Sequence, residues 1–447
     1  MKVLLIDQGE CGLALAYRAA IQGHLVFWYI EKKPATNQKT GTGMHENIIK
    51  IDTWVPYTTQ VDLIVTTENG GNYLKKLDVL RDKGVRVFAP SKECAELEIN
   101  REHGIKFLKD HGIDVPESMN FKNIKEAQKY IEENPQPYVF KTLGDNDNKA
   151  LTFVSKEPKQ LIQQLKMWKE QGISIKGEVQ LQKFIKGMEM ACMRWVGRDG
   201  FIGPIQESFE HKKHYAGEKG VNTGEMGTIG KYVNKSKLYD LVLKPLEKSL
   251  ADIGCFTSID INCIIDEDGK PWPLEFTARF GWPIFNMLLN AVKGDVIQWM
   301  YDACDGIDSL EVSMKTMIGV VLVIPPFPYE NTGDYCVEGI PLYGLSEGMK
   351  LRIQPQSIMM GKYIEEVDGK FEEVDGWVSS GPYVGVVCTE GKDITEAQIK
   401  AYTIIDKISM SDMGYRIDIG TKVKKMLPEL QKLGYATDWE IENDNSE

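Results

Sequence analysis

The segment Ser258–Gly281, SIDINCIIDEDGKPWPLEFTARFG, constrains the chain more than any other. An apolar run meets an Asp-Glu-Asp-Gly turn, and a second run follows that ends in a carboxylate and a guanidinium. Turn chemistry between two apolar runs predicts a β-hairpin. Alternate residues of a strand share a face, so Glu275 and Thr277 point the same way, as do Asp260 and Asn262 on the preceding strand. If the hairpin pairs across its turn, these oxygen-bearing groups converge. Such hard ligands suit Mg²⁺ (or Mn²⁺), with phosphate oxygens completing the shell. Arg279, two residues past Thr277, is placed to grip phosphate oxygens. The combination points to a nucleoside triphosphate handled through a metal ion. The plain alternatives are a solvated strand face and a surface ion pair.

Along the chain the pattern is α/β. The run Lys2–Asp7, the glycines Gly9 and Gly12, the helical LALAYRAAIQG and the run His24–Ile30 form a strand–turn–helix–strand opening of the doubly wound kind. The pattern returns as strand Val61–Thr66, helix Tyr73–Lys83 and strand Val85–Phe88. Ser91 then caps a helix over Lys92–His111. A second region has strands Tyr138–Lys141, Leu151–Val154 and Gln180–Ile185 around a helix Pro158–Gln171. An antiparallel pair, Met190–Val196 with Phe201–Ser208, follows, then a helix Lys235–Ile253 and, after the hairpin, helices Phe285–Val292 and Asp295–Cys304. A third region, Lys315–Tyr435, is rich in strands (Gly319–Ile324, Gly376–Ser379, Tyr383–Thr389), with a helix Glu396–Ile408. The acidic tail Asp438–Glu447 reads as disordered. The domains expected are 1–115, 116–190, 191–312 and 313–437, with 438–447 as the tail.

Of 447 residues, 53 are basic and 65 acidic, for a formal net charge of -12. An acidic chain repels a nucleic-acid backbone, so no nucleic-acid partner is expected. The start, MKVLLIDQG, turns polar too early for a secretory segment, and no apolar run is long enough to span a membrane. The eight cysteines form no CxxC pair and read as buried reduced thiols of a cytoplasmic protein, with neither a disulfide framework nor a zinc site.

Further residues suit a nucleotide. Lys141 ends an apolar strand, where a phosphate contact and a strand-end lysine lying along the surface are equally natural. Lys149 closes the polar turn LGDNDNKA. No GxxxxGK[ST] occurs, and Gly144 is the one glycine of that turn, so this is not a P-loop. The strand QLQKFIKGME, carrying Gln182 and Phe184, offers apolar groups and main-chain donors to an adenine, and Glu189 could accept from ribose hydroxyls. Its alternative is a core strand. Gly217–Gly227, with four glycines, offers backbone amides to an anion or is simply a surface loop. His211 and His214 lack further ligands for zinc. The turn Gly9–Gly12 is GECG, so the GxGxxG dinucleotide fingerprint is absent.

Taken together these motifs resemble the ATP-grasp carboxylate–amine ligases, and within them glycinamide ribonucleotide synthetase. The carriers are FAPSKECAELEINR (Phe88–Arg101), YVFK (Tyr138–Lys141), QKFIKGME (Gln182–Glu189), EHKK (Glu210–Lys213), GVNTGEMG (Gly220–Gly227), EFTARFG (Glu275–Gly281) and YRIDIG (Tyr415–Gly420). The resemblance implies an ATP-grasp fold with an N-terminal doubly wound pre-ATP-grasp domain and a C-terminal α+β domain. It implies ATP and Mg²⁺ as cofactors, small-molecule carboxylate and amine substrates, and a monomer or homodimer. It assigns nucleotide contacts to Arg101 (a lysine in the family), Lys141, Lys149, Gln182, Phe184, Glu189 and Lys212. Metal ligation falls to Glu275, Thr277 (usually asparagine) and Asn262. Catalysis falls to Arg279, Asn222 and Thr223, and substrate contacts to Gly9, Glu10, Glu68, Asn222, Gly224 and Arg279. The implied reaction passes through an acyl phosphate.

The departures cluster. The family's Gly-Arg-Glu-His run is Gly9-Glu10-Cys11-Gly12 here, and of its Gly-Pro-Glu loop only Glu68 and Leu74 persist. After Gly281 the family's Asp-Pro-Glu becomes Trp282-Pro283-Ile284. The ATP machinery is therefore better kept than the amine-substrate machinery. A ligase for a different acid and amine pair, and a nucleotide-binding protein without catalysis, are the alternatives.

Overall fold

Five of the six residues of β1 (Lys2–Asp7) are buried, as a strand covered on both faces requires. The computed structural model describes residues 1–9, 11–31, 39–143, 151–175, 177–329 and 337–441. They fall into two units: residues 1–95, 190–260 and 277–447, and residues 96–189 with 261–276.

The first unit opens with β1, α1 (Leu13–Ile21), β2 (Leu25–Ile30), β3 (Ile48–Ile51), β4 (Leu63–Thr66), α2 (Leu74–Asp82) and β5 (Val87–Phe88). The strands form a parallel sheet in the order β3-β2-β1-β4-β5, the doubly wound arrangement expected. Leu4, Ile6, Ile64, Leu77 and Val87 lie in its core. The strand order reverses at β1 and β4, so the loops after those two strands meet at the carboxyl edge of the sheet, where ligands of such folds bind.

The predicted helix Lys92–His111 is two helices, α3 (Lys92–Ile99) and α4 (Arg101–Asp110). Asn100 takes an extended conformation between them and its side chain accepts from His103 N at 3.1 Å. An Asn that bonds local backbone competes with helix continuation and caps the next helix instead. Ser91 caps α3 as expected, accepting from Cys94 N at 2.9 Å.

The second unit continues with β6 (Ser118–Phe121), α5 (Ile124–Glu133), β7 (Tyr138–Thr142), β8 (Phe153–Val154), α6 (Pro158–Glu170) and β9 (Val179–Lys183). The strands form an antiparallel sheet in the order β6-β9-β7-β8. Tyr138, Phe140, Val179 and Leu181 face the helices and pack on Ile131, Leu161 and Trp168. Alternation then sends Lys141, Gln180 and Gln182 to the opposite face.

The first unit resumes with β10 (Met188–Gly197), β11 (Gly200–Glu210), the short pair β12 (Lys213–Tyr215) and β13 (Lys219–Asn222), and β14 (Gly227–Val233). The predicted helix Lys235–Ile253 breaks into α7 (Lys237–Val242), a 3-10 turn over Lys244–Leu246, and α8 (Glu247–Asp252). Pro245 sits in that turn and has no N–H to continue an α-helix. The hairpin is present as β15 (Ser258–Ile265) and β16 (Pro271–Thr277), its turn closed by Gly269 N on Asp266 O at 3.0 Å. Then come α9 (Ile284–Ala291), α10 (Gln298–Cys304), β17 (Thr316–Val323), α11 (Glu347–Lys350), β18 (Ile353–Pro355), β19 (Ile358–Val367), β20 (Lys370–Ser379), β21 (Tyr383–Gly391), α12 (Ile394–Ile405) and α13 (Thr421–Lys432). Within the first unit β10, β11, β14, β17, β21 and β18 lie side by side in that order, whereas residues 261–276 of the hairpin belong to the second unit.

Two expectations are corrected. Cys94 and Cys255 form a disulfide across 161 residues, where reduced thiols were expected. Ser91 N donates to Gly254 O and Pro90 bridges to Cys255, so the pairing follows from tertiary contact that spacing does not reveal. Cys11, Cys192, Cys263, Cys304 and Cys388 are free; Cys336 lies outside the described residues. The tail is also anchored further than expected. Trp439 Nε1 donates to Glu207 Oε2 at 2.7 Å, and Lys231 Nζ reaches Asp438 O at 2.6 Å and Glu440 Oε2 at 2.7 Å. Residues 442–447 lie outside the described residues.

Candidate active site

In the second unit the hairpin and α4 meet. Gly104 of α4 has no room for a side chain, since a Cβ there would come within 2.3 Å of Leu97 O and 3.3 Å of the Phe276 ring. Phe107 packs edge-on against Phe276. That contact brings Arg101, in the first turn of α4, to 3.8 Å from Glu275, the former 13% and the latter 44% exposed. Asn262 Nδ2 donates to Glu189 Oε1 at 2.6 Å, so two residues assigned from sequence to metal and ribose are neighbours. Gly187 lies so close to Ile265 O that a Cβ would come within 2.1 Å of it, which fixes the turn before Glu189.

On the polar face of the same unit, Lys141 is only 7% exposed and donates to Gln182 Oε1 at 2.9 Å. Gln180 Nε2 donates to Asn120 Oδ1 at 3.0 Å. Phe184 is half-buried just past β9. Lys149 and Gly144 lie outside the described residues.

In the first unit, Gly9 follows β1 and Glu68 follows β4, at the point where strand order reverses. Asp7 organises this corner. Its carboxylate accepts from Cys11 N at 3.1 Å, Gly12 N at 2.5 Å, Thr67 Oγ1 at 2.8 Å and Trp28 Nε1 at 3.2 Å. Burial still pushes its pKa up. Glu68 is raised to about 7, by burial first and by Asp7 second, while Arg279 and the Gln8 and Gly9 amides pull it down. Its Oε2 has no hydrogen-bond partner among the described residues, and a Cβ on Gly9 would sit in van der Waals contact with it, at 3.7 Å. Arg279 is held through its backbone, whose carbonyl accepts from Ser258 Oγ at 2.6 Å. Glu10 lies outside the described residues.

The glycine-rich stretch is less of a loop than its composition suggests, because Lys219–Asn222 is strand β13, paired with β12. Thr223 N and Oγ1 both donate to Lys212 O, at 2.8 and 2.9 Å. Asn222 is exposed, and a side chain at Gly224 would meet nothing. Lys212 Nζ pairs with Glu210 at 2.8 Å. Two residues that the sequence did not single out, Arg416 and Glu225, and His211, weighed there only as a zinc ligand, support this segment. Arg416, 1% exposed, donates to Asp418, Glu218 and Lys213 O, tying β12 to the chain after α12. His211 accepts from Gly420 N at 3.0 Å, and burial drives its pKa well down, so it is a neutral acceptor rather than a cation. Glu225 is buried, and desolvation with Glu210 alongside drives its pKa well up. Arg416 and Glu225 lie inside the quoted motifs YRIDIG and GVNTGEMG, which was the available signal.

Among the described residues no cluster of three or more His, Cys, Asp or Glu could hold a metal ion by itself. The oxygen donors Glu275 and Asn262 still fit Mg²⁺, which takes one or two protein ligands and completes its shell with phosphate and water. No helix among the described residues is long and apolar enough to cross a membrane.

This is the ATP-grasp fold, and the chain is similar to proteins of that superfamily. Residues 100–284 match the family model of the phosphoribosylglycinamide synthetase ATP-grasp (A) domain. A phosphoribosylamine–glycine ligase of Haemophilus influenzae is 24% identical over 453 residues, spanning 97% of this chain and 100% of that protein. One from Listeria monocytogenes is 26% identical over 360 residues, spanning 78% and 81%. The crystal structure of phosphoribosylamine–glycine ligase from Thermotoga maritima aligns with a TM-score of 0.68 at 21% identity, covering 94% of this chain and 100% of that one. Within the superfamily the chain sides with the phosphoribosylglycinamide synthetases, and it is an ATP-dependent carbon–nitrogen ligase.

Proposed function

We propose that the chain joins a small amino acid, through its carboxylate, to an amine in the manner of phosphoribosylamine–glycine ligase. The observation that carries this reading is the grouping in one unit of Arg101 with Glu275, Asn262 with Glu189, and Lys141 with Gln182. In this reading Lys141 and Arg101 hold the phosphates of ATP, Glu189 the ribose, and Gln182 and Phe184 line the base. Glu275, Asn262 and Thr277 would hold Mg²⁺, which when bound supplies charge neutralisation between phosphate oxygens. Lys149 and Lys212 are further nucleotide contacts. A carboxylate oxygen of the acid forms a bond to the γ-phosphorus as the bond to ADP breaks. The amine then bonds to the activated carbonyl carbon, and phosphate leaves with the oxygen that the acid contributed. Arg279 neutralises charge on the transferred group, and Asn222, Thr223 and Gly224 position the carboxylate.

A second reading concerns the amine. Glu68 carries a buried carboxylate oxygen, Oε2, with no hydrogen-bond partner among the described residues, beside Gly9 and Asp7. That corner supports an amine that carries positive charge in place of one recognised through a phosphate. ADP release measured with glycine and phosphoribosylamine, then with glycine and cationic amines, separates the two. Turnover with phosphoribosylamine alone sinks the second reading, and turnover with cationic amines alone sinks the first.

A further inference from the structure

A second concentration of charge lies in the first unit, apart from every residue assigned above. A cleft of about 990 Å³ is lined by Arg18, Lys293, Lys315 and Arg352, with Glu390 as the one carboxylate. Glu390 is engaged, since its Oε2 accepts from Ser313 Oγ at 3.0 Å. None of the four cations makes an ion pair among the described residues. In a chain of net charge -12, the four cations and one carboxylate leave a net of three positive charges lining one cleft.

The geometry is that of a built site. Arg18 stands in the last turn of α1, and Arg352 in the turn between α11 and β18. Both line the same cleft, and burial first and the charge of Arg352 second push the Arg18 pKa down, a cost that a bound anion would reduce. The floor is fixed by backbone: Arg352 O accepts from Cys388 N at 2.7 Å, and Lys293 N donates to Glu311 O at 2.9 Å. Gln22 holds the rim, donating to Gly294 O at 2.7 Å and accepting from Val296 N at 2.9 Å. Ile21, Val292, Met314 and Leu351 add an apolar wall. Pockets of about 300–1,000 Å³ take ligands of nucleotide size, and paired guanidiniums match phosphate oxygens bidentately.

We infer that this cleft binds a small phosphorylated anion of nucleotide size, its phosphoryl groups on Arg18 and Arg352 and its body against Ile21 and Leu351. This goes beyond the ligase reading and does not depend on it. Arg18 sits about 9 Å along the axis of α1 from Gly12, at the end away from the Gly9–Gly12 turn, so the same helix connects the cleft to the candidate amine corner.

The test uses the full chain and inorganic tripolyphosphate as probe, titrated by calorimetry. A Lys141→Met chain, weakened in the proposed nucleotide set, retains a tripolyphosphate site. Adding Arg18→Gln and Arg352→Gln weakens that site at least tenfold, while the double variant in the otherwise unchanged protein keeps its melting temperature and its affinity for ATP. If that double variant melts early, Lys293→Gln with Lys315→Gln, at exposed positions, gives the same loss. Tripolyphosphate binding that survives these changes, or that is absent from the Lys141→Met chain, overturns the inference. So does a concentration-dependent dimer in phosphate-free sedimentation that Arg352→Gln dissociates, which would assign the face to a second copy of the chain.

Discussion

The proposed nucleotide set of the second unit and the Gly9–Glu68 corner of the first solve opposite electrostatic problems. In the second unit cations already have companions, as Lys141 has Gln182 and Arg101 has Glu275, and the set presents positive charge and hard oxygens to an anion. At the corner, Asp7 and Glu68 crowd two carboxylates under one nearby guanidinium, Arg279. The first arrangement is suited to triphosphate. The second repels phosphate once Glu68 ionises. The difference teaches that, on the proposed reading, nucleotide handling and amine choice would rest on separate groups of residues with opposite charge.

The largest effect that would sharpen this contrast is expected at Arg279. Arg279→Ala should lower kcat about 10³-fold, the upper range for removing a donor to developing charge, with ATP affinity changed little. Steady-state kinetics with an independent nucleotide titration check it; equal loss in both would merge the two regions. Next, Lys141→Met should weaken ATP binding by about 10–100-fold, from loss of a charge-assisted contact worth about 1.5–3 kcal/mol, without shifting the KM of the amine.

A smaller effect separates the corner by pH. Glu68 titrates near 7, so its negative charge appears as pH rises through that value. If it holds a cationic amine, kcat/KM for the amine relative to Glu68→Gln should rise about tenfold between pH 6 and 8. A flat ratio across that range would break the comparison.

The smallest effect is on stability. Glu207 is raised to about 7 from 4.5, chiefly by burial. A carboxyl group with a raised folded pKa binds its proton more tightly in the native state, so stability falls as pH rises from about 4.5 to 7 and then levels. Glu207→Gln should remove that decline and gain about 1–3 kcal/mol at pH 8, while Gln can still accept from Trp439. Chemical denaturation at pH 5 and pH 8 measures it.

How much of this was legible in sequence varies by residue. The hairpin with Glu275, Thr277 and Arg279 was legible because alternation and a turn place those side chains without further information. The doubly wound opening was legible for the same reason. Asp7 was not: a lone carboxylate after an apolar strand acquires its role only when Thr67 and Trp28 arrive from other strands. The Glu207–Trp439 contact spans 232 residues, and the disulfide 161. No local pattern encodes such pairings. The breaks at Asn100 and Pro245 were written in the residues themselves, where helical periodicity outweighed capping and proline signals.

The central claim is that the γ-phosphoryl group of ATP passes to the carboxylate of an organic acid before an amine displaces it. The direct measurement follows ¹⁸O from a carboxyl-labelled amino acid during turnover with ATP and amine. One labelled oxygen per turnover should appear in inorganic phosphate, with ADP formed in equal amount. Turnover that leaves the phosphate unlabelled, or that produces AMP and pyrophosphate, would contradict it.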